Sequence, residues 1–271
     1  MESPITDGTD KPGRAVPPTP QVRRIALGAP LQWLARGARD LAAAPGIAAF
    51  YGACFWAMAA TLGAVFRNKP EYTMTIVSGC LLVGPFLAMG LYEASRRREQ
   101  GVPQSLSASL TCWSGHLGSM GLLVLVLTVL ELLWGRASLV VFAVFFNTGM
   151  PSTASVLEAV FNPRNWQFLA VYLTVGSVFA ALVYCSMVVA IPMILDRDTD
   201  AITAALTSFR VVLDNMAAML FWGALVVALT LLALWPWSLG LLVVGPWLGH
   251  ATWHAYRDAV GWDSPTVVVL S

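Results

Sequence analysis

The sequence predicts an all-α fold: an integral membrane bundle of six helices, built as three pseudo-repeated hairpins, each preceded by an amphipathic helix on the cytoplasmic surface. Three observations predict it. Of 271 residues, 57% are hydrophobic and 11% charged, where a soluble domain carries roughly a quarter charged residues. The apolar residues fall in runs near the ~20 positions that carry a helix across a hydrocarbon core of about 30 Å. Lys and Arg are distributed unevenly between the loops of the two sides.

Taken in chain order, residues 1–27 are rich in Pro, Thr and Asp and lack the short apolar core and cleavage site of a signal peptide. They read as a disordered cytoplasmic tail, followed by a membrane domain over 28–260 and a short cytoplasmic tail over 261–271. A helix over 30–43 sets Leu31, Trp33, Leu34 and Leu41 along one face and Arg36 and Arg39 on the other. Spans follow at about 44–66 and 72–95, the second carrying Pro85. A second surface helix over 104–115, with Ser105 as N-cap, leads into the apolar run 117–146. That run is too long for one straight crossing. Gly135-Arg136 is expected to divide it, leaving Ala137 to Phe146 as an outer re-entrant or interfacial piece. The fourth span, about 166–193, ends at Pro192. A third surface helix over 199–213, capped by Thr199, aligns Ile202, Leu206, Phe209 and Leu213 opposite Arg210. Spans at about 215–235 and 238–256 complete the set, the last with Pro246.

Cytoplasmic loops of membrane proteins carry the excess of Lys and Arg. With the N-terminus inside, twelve lie on the inner side (Lys11, Arg14, Arg23, Arg24, Arg36, Arg39, Arg96, Arg97, Arg98, Arg197, Arg210, Arg257) and four outside (Arg67, Lys69, Arg136, Arg164). Trp134, Trp166, Trp235 and Trp237 then mark the outer boundary, and Trp33 and Trp113 the inner one. A bacterial cytoplasmic membrane with both termini inside is the expected location.

The repeat appears on shifting the chain by 161 positions, which lays Val83-Gly84-Pro85-Phe86-Leu87 on Val244-Gly245-Pro246-Trp247-Leu248, with six identities in the fifteen positions from Val83 to Arg97. A shift of 96 lays Ser105 to Met120 on Ala201 to Met216 with five identities. Pro85, Pro192 and Pro246 thus mark three return spans. Proline-interrupted spans at corresponding positions point to a substrate site in transporters, and they also arise where a structural hairpin is duplicated and its neighbours absorb the bend.

Few residues can carry chemistry. His250, His254 and Asp258 are spaced by four and share one helical face, where two imidazoles can share a metal. His116 and Glu93 are expected at a similar depth, so the five form a candidate metal set; a haem would need His116 as its second ligand. The alternative is that these histidines hydrogen-bond headgroups, carbonyls or each other. Glu131 lies within the apolar run from Gly118 to Trp134 and is a candidate for proton transfer, unless the span ends near Arg136 and the carboxylate reaches water. Asp196, Asp198 and Asp200 alternate as in a calcium loop, but the glycine and closing glutamate of an EF-hand are missing, which favours helix capping. Cys54, Cys80, Cys112 and Cys185 have no metal or redox spacing. There is no basic stripe for nucleic acid and no hydrolase or phosphate-loop motif.

The segment SGCLLVGPFLAMGLYEASRRR from Ser78, the stretch Pro192 to Asp198 and the closing GHATWHAYRD together resemble an uncharacterised bacterial family of polytopic membrane proteins, from about Trp33 to Asp258. Some members of that family are labelled cytochrome c oxidase subunit I. The catalytic subunit of that name needs a larger set of histidines, for two haems and a copper, than the three found here. The resemblance therefore implies an accessory or assembly role beside a respiratory oxidase, and supplies no residue roles. The expected reading is a non-enzymatic membrane protein without a resident cofactor, whose partners are the bilayer and other membrane subunits. A transporter or channel for a small solute or metal ion, and a metal or haem protein, are the alternatives.

Overall fold

The computed structural model describes residues 19–69, 72–146 and 162–263. A strand β1 (Pro20–Val22) precedes ten α-helices among the described residues: α1 (Ala29–Ala43), α2 (Pro45–Asn68), α3 (Thr73–Glu99), α4 (Leu106–Thr111), α5 (Leu117–Phe145), α6 (Trp166–Met187), α7 (Ala190–Arg197), α8 (Ala201–Asp214), α9 (Met216–Ala233) and α10 (Leu241–Ala259). A second strand, β2 (Val260–Trp262), pairs antiparallel with β1.

Among the described residues five segments are long and apolar enough to cross a membrane: Pro45–Asn68, Thr75–Glu99, Leu106–Phe145, Trp166–Arg197 and Met216–Ala233. The expected sixth span, 238–256, corresponds to α10, which does not meet that measure. Its second half carries His250, His254, Arg257 and Asp258. Hydropathy counts these polar groups at full cost, whereas in the fold each of the four side chains makes a hydrogen bond or ion pair to α1 or α3.

Helix α10 is the axis of the packing, lying against α1, α2, α3 and α9. Two glycines permit that closeness: a Cβ on Gly37 of α1 would stand 2.7 Å from the Ala251 backbone nitrogen, and one on Gly52 of α2 would stand 2.0 Å from the Leu242 carbonyl oxygen. Small residues at crossings are what membrane helices use when apolar burial no longer drives association. Trp33 and Trp222 meet edge to face at 5.5 Å. Trp247 donates its indole proton to the Leu34 carbonyl at 2.8 Å, so the largest side chains here are also tethered.

The structure corrects several expectations. Helix α5 runs unbroken through Gly135 and Arg136, about 43 Å at 1.5 Å per residue, so Ala137 to Phe145 continue the helix instead of forming a re-entrant piece. Packing explains this: Val141 and Phe142 bury against Phe168 of α6, outweighing the roughly 1 kcal/mol that a mid-helix glycine costs. Pro192 sits in the first turn of α7, separated from α6 at Val188-Val189, where a missing N–H costs little. Pro85 and Pro246 lie inside unbroken helices. Helix α1 does not present its apolar side chains on one face: Trp33 and Leu34 enter the core while Leu31 stays exposed. The first tail is shorter than expected, since Pro20–Val22 pairs with Val260–Trp262, and Asn215 accepts from the Ile25 N–H and donates to the Arg23 carbonyl. Residues 1–18 and 264–271 lie outside the described residues.

Helix α8 matches the expected surface helix over 199–213 but is capped one residue later, Asp200 Oδ1 accepting from the Thr203 N–H at 2.9 Å. Its Ala201, Ala204, Val211 and Val212 face the protein, and Ile202, Leu206 and Leu213 stay exposed along the opposite side. A helix with one apolar face packed and a second exposed suits a bilayer interface. Removing the cap with Asp200→Ala is expected to lower stability by about 1 kcal/mol, read from unfolding of the purified protein in detergent; Asp200→Asn should retain most of it.

Candidate functional site

Helices α1, α3 and α10 converge at the arginine-rich end of the bundle, and the convergence point is a buried carboxylate. Asp40, 5% exposed, receives three donors: Ser95 Oγ at 2.6 Å and His254 Nε2 at 2.9 Å on Oδ2, and Arg98 Nη1 at 2.7 Å on Oδ1. The single hydroxyl proton of Ser95 is committed to Asp40. The 2.8 Å contact between Ser95 Oγ and His250 Nδ1 then requires the imidazole to donate. This leaves His250 Nε2 as a bare lone pair, buried with no partner among the described residues. Burial raises the Asp40 pKa, but hydrogen bonds from His254 and Ser95, with the electrostatic attraction of the nearby imidazoles, outweigh it, so the carboxyl is held below its ordinary value.

Three further links surround this centre. Asp258 accepts from the Trp33 indole at 2.8 Å and pairs with Arg36. Glu99 accepts from the Trp253 indole at 3.1 Å and from Arg257 at 3.2 Å. Asp196, at the end of α7, accepts from the Tyr256 hydroxyl at 2.7 Å. The hollow above Asp40, about 240 Å³, is lined by Arg36, Arg39, Asp40, Ser95, Arg98, Glu99 and His254.

Of the five residues expected to form a metal set, only His250 and His254 share this centre, through Ser95 and Asp40. His116 pairs instead with Asp198 at 2.9 Å. Glu93 pairs with Arg96 at 2.6 Å on its own helix, and Asp258 with Arg36. Among the described residues no group of three His, Cys, Asp or Glu is arranged to hold a metal. The i, i+4 spacing was read correctly as one helical face, but what that face meets is Asp40, which spacing within α10 cannot show. Asp40, Ser95, Arg98 and Glu99 were missed as site residues. The available signal was the polar stripe Arg36-Arg39-Asp40 on a helix that otherwise buries tryptophan and leucine. Asp196, Asp198 and Asp200 do not act together: the first accepts from Tyr256, the second ends α7 in a left-handed conformation at φ 51°, and the third caps α8.

The intramembrane candidate Glu131 lies elsewhere, on the wall of a cleft between α3, α5 and α6. It is equidistant from Leu117 and Phe145, about 21 Å along the helix from either, and 8% exposed. Ser78 of α3 donates to its Oε2 at 3.0 Å.

Residues 73–196, from the start of α3 to α7, match the model of a family described as predicted integral membrane protein (DUF2189). The chain is thus similar to an uncharacterised family of membrane proteins over the stretch holding Pro85, Glu93, His116, Glu131 and Pro192; the closing GHATWHAYRD lies outside it. No curated protein and no solved structure matches the chain. The chain is an integral membrane protein with several spanning helices whose apolar faces contact the bilayer.

Proposed function

We propose that this is a non-enzymatic protein of the bacterial cytoplasmic membrane, with six spans and both ends inside, that serves as a structural or accessory partner of a membrane complex. The observation that carries this reading is the use made of the polar side chains. Asp40, Ser95, His250, His254 and Arg98 bond to one another across α1, α3 and α10, so most of the polar atoms at this end serve to join helices. The respiratory cytochrome oxidase is the complex to test first, because the family resemblance names it.

Arginine placement supports the orientation: Arg36, Arg39, Arg98 and Glu99 line the hollow at one end, and positive charge marks the cytoplasmic side. The three-hairpin reading is supported by contacts. Helix α2 packs on α3, α5 on α6 and α9 on α10, while α4 packs on α3, α8 on α6 and α7, and α1 on α10. Each surface helix rests on the return helix of the unit before it, and α1 closes the ring on the last. In this reading α10 is the sixth span, made polar at one end by the network it anchors. The metal or haem alternative draws less support, because the three imidazoles point to different partners, His116 to Asp198, His254 to Asp40 and His250 to Ser95, and among the described residues no three ligating groups converge.

Affinity purification of the full chain from native membranes in mild detergent tests the role. The expected result is stoichiometric recovery of subunits of one membrane complex, oxidase subunits in the first instance. Recovery of the chain alone, under conditions that keep known complexes of the same membrane intact, counts against it.

A further inference from the structure

We propose that the cleft between α3, α5 and α6 binds an organic cation with apolar substituents, with Glu131 as its counter-ion and the rings of Trp134, Phe179 and Tyr184 as its walls. This goes beyond the accessory role and does not depend on it. It requires only that the chain is a membrane protein.

The argument begins with the continuity of α5. Had the helix ended near Arg136, Glu131 would sit a turn from water. Because α5 runs on to Phe145, the carboxylate lies three to four turns from either end, inside an apolar run. A carboxylate at such a depth is costly unless it is paired or protonated. Ser78 supplies one hydrogen bond to Oε2, and among the described residues no Lys, Arg or His forms an ion pair with Glu131. Its side chain instead lines the cleft, with Val77 and Leu81 of α3, Leu127 of α5, and Phe179 and Tyr184 of α6 among its neighbours.

The cleft itself has the dimensions of a ligand site. Its volume is about 560 Å³, within the range of roughly 300–1,000 Å³ typical of small-molecule pockets, and it is apolar apart from one convergent charged group. The aromatic walls are fixed in place. Trp134 stands 5.1 Å from Tyr172 and 5.8 Å from Phe179, Gly176 leaves room for its ring, since a Cβ there would lie 3.1 Å from the Trp134 Cη2, and the Tyr184 hydroxyl is committed to the Met219 carbonyl at 2.6 Å.

Charge and wall chemistry together select the ligand class. A single carboxylate repels anions. A small inorganic cation would have to shed its water for one carboxylate and one hydroxyl, fewer oxygen ligands than Ca²⁺ or Mg²⁺ take. An ammonium or phosphonium bearing apolar groups loses little hydration, buries its substituents against the leucine and valine side chains, and gains cation–π attraction from the three aromatic rings.

The test uses the purified full chain in lipid nanodiscs and radiolabelled tetraphenylphosphonium, with uncharged tetraphenylsilane as competitor. Saturable binding at one site per chain is expected, reduced at least tenfold by Glu131→Gln, which keeps the size of the side chain and its bond to Ser78. Ala180→Phe, which fills the cleft without touching the carboxylate, should reduce binding similarly, and it decides the matter if Glu131→Gln fails to fold. Absence of saturable binding in the unaltered chain, undiminished binding in a folded Glu131→Gln or Ala180→Phe protein, or equal competition by the uncharged analogue would each overturn the proposal.

Discussion

Replacing Asp40 by Ala is expected to lower stability by about 3–5 kcal/mol, the cost of stranding the partners of a buried charge. Three donors converge on this α1 carboxylate from two other helices: Ser95 and Arg98 from α3 and His254 from α10. Without it, Arg98 loses its carboxylate partner, the Ser95 proton must find another acceptor, and His250 loses the serine orientation that fixes its tautomer. Asp40→Asn should be milder, since an amide oxygen still accepts from Ser95 while the charge pairing with Arg98 is lost. The measurement is equilibrium unfolding in mixed micelles. A double-mutant cycle with Arg98→Ala is expected to show coupling, because removing both charges leaves neither stranded. A loss below about 1 kcal/mol for Asp40→Ala would place Asp40 among ordinary surface ion pairs and remove the basis for reading this centre as the lock of the bundle.

The same carboxylate sets a direction in pH. Its pKa is lower folded than the ordinary 3.8, so the folded state binds fewer protons at Asp40 than the unfolded state does, and stability from this group rises with pH. The contribution is complete above the unfolded value and disappears as pH falls through the lower folded one. The difference between the unaltered chain and Asp40→Asn should therefore narrow only below about pH 4.

Much of the architecture was legible because it is periodic. Apolar run lengths located α2, α3, α5 and α9 to within a few residues, and the start of α6, and the four-residue spacing put His250, His254 and Asp258 on one face of α10. What could not be read depends on partners distant in sequence. Glycine 135 beside Arg136 looks like a break, yet α5 continues because Val141 and Phe142 have Phe168 to pack against. Pro192 looks like a bend within a span, yet the fold separates α7 from α6 before it, making it a first-turn proline. The histidine face looks like half a metal site, and it takes the carboxylate of Asp40, 214 positions away, to engage His254 in a helix–helix contact instead. Local pattern specifies which groups are offered; long-range packing decides which are consumed.

The second large effect expected is at Gly52, where α2 crosses α10. A methyl group there would lie 2.0 Å from the Leu242 carbonyl oxygen and 2.8 Å from its carbon, both backbone atoms that no rotamer change can move. Gly52→Ala must therefore separate the two helices, and the expected loss is at the upper end of the 1–3 kcal/mol typical of overpacking, with Gly52→Leu abolishing recovery of folded protein. Gly63 on the same helix is the matched control, because a Cβ there has nothing within 4 Å. Gly63→Ala is expected to be neutral or to stabilise by up to about 1 kcal/mol, through helix propensity alone. Comparing the two in one detergent separates the intrinsic preference of α2 from its contact with α10. Since α10 also carries His250 and His254, forcing α2 outward at Gly52 should loosen the Asp40 centre as well, so the cost of Asp40→Ala should be smaller in the Gly52→Ala background. Additive losses would instead mean that the crossing and the polar centre hold the bundle independently.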